Sequence, residues 1–65
     1  MLMNNDDKLL TMKEVGKMLG LGRDRTYELF RQKDFPCVKF NKTAVIYESD
    51  LHSYLKSHRG KIVYL

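Results

Sequence analysis

The sequence predicts a small α+β fold, in which two helices joined by a short turn are followed by a two-stranded hairpin and a third helix. Apolar residues recur at helical spacing on both sides of Gly20-Leu21-Gly22, whose glycines permit a tight turn. Phe35-Pro36 then ends helical structure, because proline disfavours the α conformation of the residue before it. Two runs rich in β-branched and aromatic residues come next, and Leu51, Tyr54 and Leu55 return to the helical spacing.

Length and composition limit the chain to one domain. With 65 residues, it lies near the lower size at which a single apolar core supports a fold. Cys37 is the one cysteine in the sequence, which excludes a disulfide framework, and we expect it to be a small buried hydrophobic residue. No apolar run approaches the roughly 20 residues that cross a bilayer, and the first residues lack the pattern of a signal peptide. We therefore expect a cytoplasmic protein with no membrane partner.

The chain is basic, with 12 Lys and Arg against 8 Asp and Glu and a net charge of +4. Because Asp6 and Asp7 fall in the polar start of the chain, the rest is more basic than the whole. A surplus of cations on a small surface suits a polyanionic partner, since each Lys or Arg beside a phosphate releases condensed counterions. Many small proteins are equally basic for solubility alone, so charge by itself leaves both interpretations open.

The predicted domain spans residues 9–60 and lies between two short tails. Residues 1–8 are polar without periodicity, and we expect them to be disordered. Residues 61–65 form an apolar tail. Two roles are open for it: a plug or extra strand on its own domain, or a contact surface for a neighbouring copy or another protein.

The first two helices are predicted from caps and periodicity. Thr11 and Glu14 have the spacing of a capping box, and the helix that follows ends by Gly20. Its apolar stripe is Met12, Val15, Met18 and Leu19. A second helix is predicted from about residue 23 to residue 32, with Thr26, Leu29, Phe30 and the methylenes of Lys33 facing inward. Its outer positions are Arg23, Asp24, Arg25, Glu28, Arg31 and Gln32, with Tyr27 at the edge.

The second half of the chain predicts a hairpin and a helix. Residues 37–40 and 44–47 are the strands, and Asn41-Lys42-Thr43 is the tip. A lysine between two hydrogen-bonding side chains suits contact with phosphates or a minor groove, although an ordinary solvated turn is the alternative. Ser49 is a candidate cap of the third helix, and Gly60 can stop it. Together, these elements predict a small winged helix-turn-helix.

With the predicted helices and strands in this order, residues 10–55 resemble the excisionase-type winged helix-turn-helix family. These are small proteins of phages and mobile elements, distantly similar to the DNA-binding end of MerR-type regulators. The residues that carry the resemblance are Leu10-Thr11-Met12-Lys13-Glu14-Val15, Met18-Leu19-Gly20-Leu21, Arg23, Tyr27, Leu29-Phe30-Arg31, Phe35-Pro36, Val38-Lys39-Phe40, Ile46, Asp50-Leu51 and Tyr54-Leu55. The Phe35-Pro36 step is also similar to AlpA-type prophage regulators.

The chain departs from the family pattern at three positions. Gly22 stands where a serine usually caps the recognition helix, a change that costs only a few tenths of a kcal/mol. Lys33 replaces a usual glycine, and Thr26 replaces a usual aliphatic residue. None of the three removes a predicted DNA-contacting group.

The predicted DNA-binding residues lie on the second helix and the hairpin. The N-terminal half of that helix reaches base edges in most helix-turn-helix complexes, where arginine pairs with guanine and an acid accepts from cytosine. The predicted set is Arg23, Asp24, Arg25, Tyr27, Glu28, Arg31, Lys39, Asn41, Lys42 and Thr43. Arg31, Lys39 and Lys42 are expected to contact phosphates, with Lys13 and Thr11 as weaker candidates. For Asp24, Glu28 and Arg31, a solvent-exposed face of ion pairs is an equal alternative.

The resemblance implies an excisionase that binds and bends double-stranded DNA near an attachment site and assists an integrase. A prophage transcription regulator and a protein-binding inhibitor module are the alternatives, and cooperative self-association on DNA is expected. We expect no catalysis, cofactor or metal, because the sequence offers neither a nucleophile set nor a phosphate-binding loop. His52 and His58 are six residues apart, which places them on different faces of a helix, and we expect both at the surface.

Overall fold

Three helices and a three-stranded antiparallel sheet make up the structure, a computed structural model that describes residues 7–65. The elements are β1 (Leu9–Thr11), α1 (Met12–Leu19), α2 (Arg23–Phe30), β2 (Val38–Phe40), β3 (Thr43–Tyr47) and α3 (Glu48–Ser57). The strands lie in the order β1-β3-β2. The predicted α+β fold, a winged helix-turn-helix with a hairpin and a third helix, is confirmed. The sheet has one strand more than the sequence predicted.

The additional strand, β1, precedes the first helix and pairs with β3. Leu10 lies opposite Ile46 in this pairing, and both side chains are buried in the core. Thr11 ends the strand and also caps α1, so that the strand leads into the helix without a loop. The pairing therefore attaches the start of the helix-turn-helix to the hairpin.

Residues ahead of β1 contact the start of α3. The Asp7 carboxylate accepts hydrogen bonds from the Ser49 backbone N–H at 3.0 Å and from the Ser49 hydroxyl at 2.7 Å. The Lys8 carbonyl accepts from the Glu48 N–H at 2.8 Å. Of the tail expected over residues 1–8, residues 1–6 lie outside the described residues, whereas Asp7 and Lys8 are hydrogen-bonded to the domain.

α1 has the predicted ends. Its N-terminus carries the complete capping box of Thr11 and Glu14, and Gly20 closes the C-terminus with a φ of 70°. Within the predicted apolar stripe, Val15 is fully buried. Met18 is 51% exposed, so its expected place in the core was wrong. Met12 and Leu19, the other two residues of the stripe, are partly buried and pack against the core.

α2 packs closely against α1 through a glycine. A Cβ on Gly16 would lie 2.6 Å from Thr26 Oγ1 and 3.3 Å from the Leu21 carbonyl oxygen. The Thr26 hydroxyl donates to the Gly22 carbonyl at 2.8 Å, which satisfies this buried polar group within its own helix. The threonine at a usually aliphatic position is thereby accommodated.

α2 is shorter than predicted, because it ends at Phe30 and Arg31 is its C-cap. Turns connect α2 to Phe35, whose ring lies in the core. The centroid of this ring is 4.8 Å from that of the Phe30 ring and 4.9 Å from that of the Tyr54 ring. Lys33 is exposed, so the prediction that its methylenes face inward was wrong. Once the helix has ended, position 33 no longer lies on its buried stripe.

The core joins both helices of the turn motif to the sheet and to α3. Its buried hydrophobic residues are Leu10, Val15, Leu29, Phe30, Phe35, Ala44, Ile46, Leu51 and Tyr54. Burial raises the pKa of the Tyr54 hydroxyl, and the nearby Asp34 raises it further. Cys37 is only partly buried, and its thiol donates to the Phe30 carbonyl at 3.5 Å.

The ends of α3 differ from those predicted. The helix begins at Glu48, so Ser49 lies inside its first turn and is not the cap. His58 forms the C-cap and is partly buried: Nδ1 lies 2.9 Å from the Tyr54 carbonyl oxygen, and Nε2 lies 3.2 Å from Asp34 Oδ2. Its expected position as a simple surface residue was wrong, because it connects α3 to the segment between α2 and β2.

The hairpin has a two-residue loop, Asn41-Lys42, because Thr43 pairs with Phe40 as the first residue of β3. Asn41 has a φ of 48°, which asparagine tolerates better than most residues. In the C-terminal tail, residues 61–65 form no strand. Val63 packs against the core, while Ile62 is 73% exposed and Tyr64 is 80% exposed.

Candidate nucleic-acid interface

An open groove of about 820 Å³ lies between α1 and α2 and extends to the tip of the hairpin. We call it the α1–α2 groove. It is lined by Met12, Lys13, Gly16, Lys17, Leu21, Arg23, Asp24, Thr26, Tyr27 and Lys42. The charged lining residues are four cations and one carboxylate, that of Asp24. A concave surface with this excess of cations attracts a polyanion.

The groove brings together four residues of the predicted set. Arg23, Asp24 and Tyr27 come from α2, and Lys42 comes from the hairpin loop. Arg25 does not line the groove. Because an α-helix turns by about 100° per residue, Arg25 lies on the opposite flank of α2 from Arg23 and Tyr27. The two arginines at the start of α2 therefore face different surroundings.

Glu28 and Arg31 form a pair on the exposed side of α2. Arg31 Nη1 lies 3.6 Å from Glu28 Oε2, and the Arg31 guanidinium carbon lies 5.8 Å from the centre of the Tyr27 ring. Both side chains of the ion pair are about half exposed or more, so the pair contributes a few tenths of a kcal/mol at most. For these two residues, the exposed ion pair that the sequence left as an alternative is present.

The remaining predicted residues lie on the same hairpin as Lys42 and do not line the groove. Lys39 lies opposite Ala44, whose side chain is buried, and is itself exposed. Asn41 is the other residue of the loop, and the Thr43 hydroxyl donates to the Phe40 carbonyl at 3.2 Å. The hairpin thus directs Lys42 toward the helices and leaves Lys39 and Asn41 exposed beside it.

Sequence analysis missed Lys17. It is exposed and lines the groove together with Lys13, which lies one helical turn earlier on α1. Residues four apart lie on the same side of a helix, so the spacing from Lys13, which was already a candidate, is a signal that could have identified Lys17.

The capping box holds α1 in place at this groove. Glu14 accepts from the Thr11 backbone N–H at 2.9 Å and from the Thr11 hydroxyl at 3.2 Å, and these hydrogen bonds lower the pKa of Glu14 below its ordinary value. The Glu14 N–H donates to the same hydroxyl oxygen at 3.2 Å. Thr11, a weak DNA-binding candidate, therefore has its side chain engaged in capping.

The chain also matches a known protein family. Residues 9–59, most of the chain, fit the model of the family described as "Helix-turn-helix domain". The chain belongs to this helix-turn-helix family. The match includes α1, α2, the hairpin and α3, and it supports DNA binding by the chain. No curated protein and no solved structure shows a significant match.

Two further observations apply to this helix-turn-helix protein. Within residues 7–65, no group of three or more His, Cys, Asp or Glu side chains is placed to hold a metal ion. No helix in the described part of the chain is long and apolar enough to span a membrane.

Proposed function

We propose that the chain is a sequence-specific double-stranded DNA-binding protein that inserts α2 into the major groove. The observation that carries the proposal is the α1–α2 groove, where cations from α1, α2 and the hairpin loop meet on one surface. In this arrangement, Lys13, Lys17 and Lys42 contact phosphates and position the protein. Residues at the start of α2 contact base edges and supply the specificity.

The salt dependence of binding tests this function. Fluorescence anisotropy with a DNA duplex is expected to give a slope of log K against log salt that corresponds to roughly four to seven phosphate contacts. Lys56→Ala is the control, because this exposed lysine lies on α3 and does not line the groove. Its slope should equal that of the wild type. A flat response, or no binding at micromolar protein in low salt, would favour the protein-binding inhibitor module instead.

The proposed roles of helix and hairpin can be separated by substitution. Arg23→Ala and Arg25→Ala are each expected to weaken specific binding by about 1–3 kcal/mol and to relax base preference, because a bidentate base contact is lost. Lys42→Ala should weaken binding to all sequences alike and reduce the salt slope by about one. If Lys42→Ala changed the preferred site while both arginine variants kept it, the two roles would be reversed.

Among DNA-binding functions, we propose a non-enzymatic excisionase that bends DNA near an attachment site and assists an integrase. The resemblance of residues 10–55 to excisionase-type proteins supports this choice. A fluorescence energy transfer assay on end-labelled duplexes is expected to report a bend on binding. Straight bound DNA would favour a regulator similar to the AlpA type, to which Phe35-Pro36 also points. An integrase gene beside the gene of this chain would favour the excisionase.

We also propose that copies assemble on neighbouring sites, because one module of this kind buries only about 600–1,000 Å² on DNA. The exposed Ile62 and Tyr64 of the C-terminal tail are the proposed contacts. Replacing both with serine is expected to reduce cooperativity on multi-site DNA without lowering the melting temperature. Val63→Ala is the comparison, since Val63 packs on the core and its truncation should lower the melting temperature. Unchanged cooperativity in the double variant would contradict the proposal.

A further inference from the structure

One carboxylate stands among the cations of the α1–α2 groove. Asp24 is exposed on the first turn of α2, next to Arg23 and on the same groove surface as the lysines of α1 and the hairpin. Among the described residues, it takes part in no ion pair within 4.0 Å and in no side-chain hydrogen bond. Glu28, one turn later, is paired with Arg31. The two acids of α2 are therefore in different situations.

An anion on a DNA-binding surface lowers the affinity for every sequence, because it repels the phosphates and offsets part of the cationic charge. A carboxylate accepts hydrogen bonds and donates none when it is ionised. In the major groove, the hydrogen-bond donors of the bases are the amino groups of cytosine N4 and adenine N6, and acidic side chains characteristically accept from cytosine. The repulsion from Asp24 can thus be offset only where the DNA presents such an amino group.

We propose that Asp24 is a specificity-determining residue, which accepts a hydrogen bond from a base amino group, that of cytosine foremost, and disfavours DNA that presents an acceptor at the same place. This inference rests on the proposed insertion of α2 into the major groove. Asp24 lowers general affinity and raises discrimination. Arg23, beside it, adds affinity through a neighbouring base.

Asp24 also has a structural role, which an experiment must separate from its proposed role in base recognition. As an acid in the first turn of α2, it interacts favourably with the positive end of the helix dipole. That role affects thermal unfolding and leaves base preference unchanged. Base preference is therefore the measurement that distinguishes the two.

The test compares Asp24→Ala, Asp24→Asn and Asp50→Asn in selections from randomised duplexes, followed by anisotropy titrations at fixed salt. Asp24→Ala is expected to lose discrimination at one base position by roughly 5- to 100-fold. Its affinity for random duplex should rise a few-fold, because a like charge is removed. Asp24→Asn should shift that position toward adenine, which asparagine contacts at N6 and N7. Asp50→Asn, the matched control, replaces an acid in the first turn of α3 that does not line the groove, and it should keep the wild-type preference.

Two results would overturn the inference, and they differ from each other. If the wild type binds DNA and Asp24→Ala keeps the full base preference, Asp24 acts only on the helix, and the proposed function survives without this inference. If the wild type shows no salt-dependent binding to any duplex, the proposed function fails, and the role of Asp24 fails with it.

Discussion

The two helices of the helix-turn-helix begin in opposite ways. α1 carries its own capping box, in which Thr11 and Glu14 satisfy each other's backbone N–H groups. α2 begins after Gly22, and no side chain caps its first turn. The four N–H groups that open a helix have no partner within it, so the two termini expose different amounts of unsatisfied backbone. The start of α1 is stabilised locally, whereas α2 depends on its packing.

α2 is held by Leu29 and Phe30, which are buried in the core, and by the close contact of Thr26 with Gly16 of α1. Thr26 is buried, its hydroxyl is bonded to the Gly22 carbonyl, and Gly16 leaves the space that this hydroxyl occupies. α2 is therefore positioned from α1 and not from its own terminus. As a result, the first turn of α2, which carries Arg23 and Asp24, has no capping side chain. This turn lies on the surface proposed to bind DNA.

Gly16→Ala is expected to have the largest effect on this arrangement. The added methyl would lie 2.6 Å from Thr26 Oγ1, which is held by its hydrogen bond, and 3.3 Å from the Leu21 carbonyl. Overpacking of this kind costs about 1–3 kcal/mol and exceeds the gain of nearly 1 kcal/mol from replacing a helical glycine. Urea unfolding measures the change. In a Thr26→Ala background the cost should shrink, and a stabilised Gly16→Ala protein would show that packing on α1 does not hold α2.

Asp7→Ala tests a third way to begin a helix. The N-cap of α3, Tyr47, makes no side-chain hydrogen bond, whereas the carboxylate of Asp7, ahead of β1, accepts from the backbone N–H and the hydroxyl of Ser49 in the first turn. Loss of a helix cap costs about 0.5–2 kcal/mol, and we expect a value near the upper end because two hydrogen bonds are lost. Lys8→Ala is the control in thermal melts, since Lys8 contacts Glu48 only through its carbonyl. Equal melting of the two variants would show that the Asp7 side chain does not stabilise the start of α3.

The comparison also shows how much of the fold could be predicted. Both ends of α1 follow from residues close in sequence, the capping box and Gly20, and both were predicted correctly. β1 was missed because three residues, Leu9–Thr11, are too few to show a strand period and pair with a strand far along the chain. Ser49 was wrongly predicted to cap α3, since the N-cap is Tyr47 and the side chain that accepts from the Ser49 N–H, that of Asp7, is distant in sequence.

The candidate DNA-binding site, like the fold, could be predicted in part from the sequence. Helical periodicity correctly placed the charged residues of α2 on its exposed side. It could not tell which flank faces the hairpin loop, because that depends on how α2 packs on α1. The structure places Arg23 in the groove beside Lys42 and Arg25 outside it. Lys17 was missed because the apolar stripe of α1 predicts only which side of the helix packs inward, whereas the place of Lys17 in the groove depends on how α2 and the hairpin loop pack beside α1.

Thr11→Ala is expected to destabilise the protein by about 1 kcal/mol, through loss of the α1 cap. The pH dependence of unfolding provides its signature. Because the pKa of Glu14 is lowered in the folded protein, its contribution is present above the ordinary value of 4.5 and is lost as the pH falls through the lowered value. Stability of the wild type should decline over that acidic range more than in Thr11→Ala or Glu14→Gln. Parallel pH profiles in all three proteins would contradict this account.

Gly22→Ser is expected to have the smallest effect, and it would remove the difference between the two helices. Gly22 has a φ of −72° and a ψ of 173°, which serine adopts without strain, and a Cβ there would meet nothing within 4 Å. The new hydroxyl can accept from the N–H of Asp24 or Arg25, for a gain of a few tenths of a kcal/mol. Gly22→Ala is the comparison, because alanine restricts the unfolded chain as serine does but has no side-chain oxygen to accept from a backbone N–H. The alanine variant should therefore be less stable than Gly22→Ser by about 0.5 kcal/mol or more.

Because α2 is positioned by Gly16 and Thr26, we expect Gly22→Ser to melt slightly higher and to select the same DNA sequence as the wild type. A changed sequence preference would mean that the terminus of α2, and not its packing on α1, sets how the helix meets DNA.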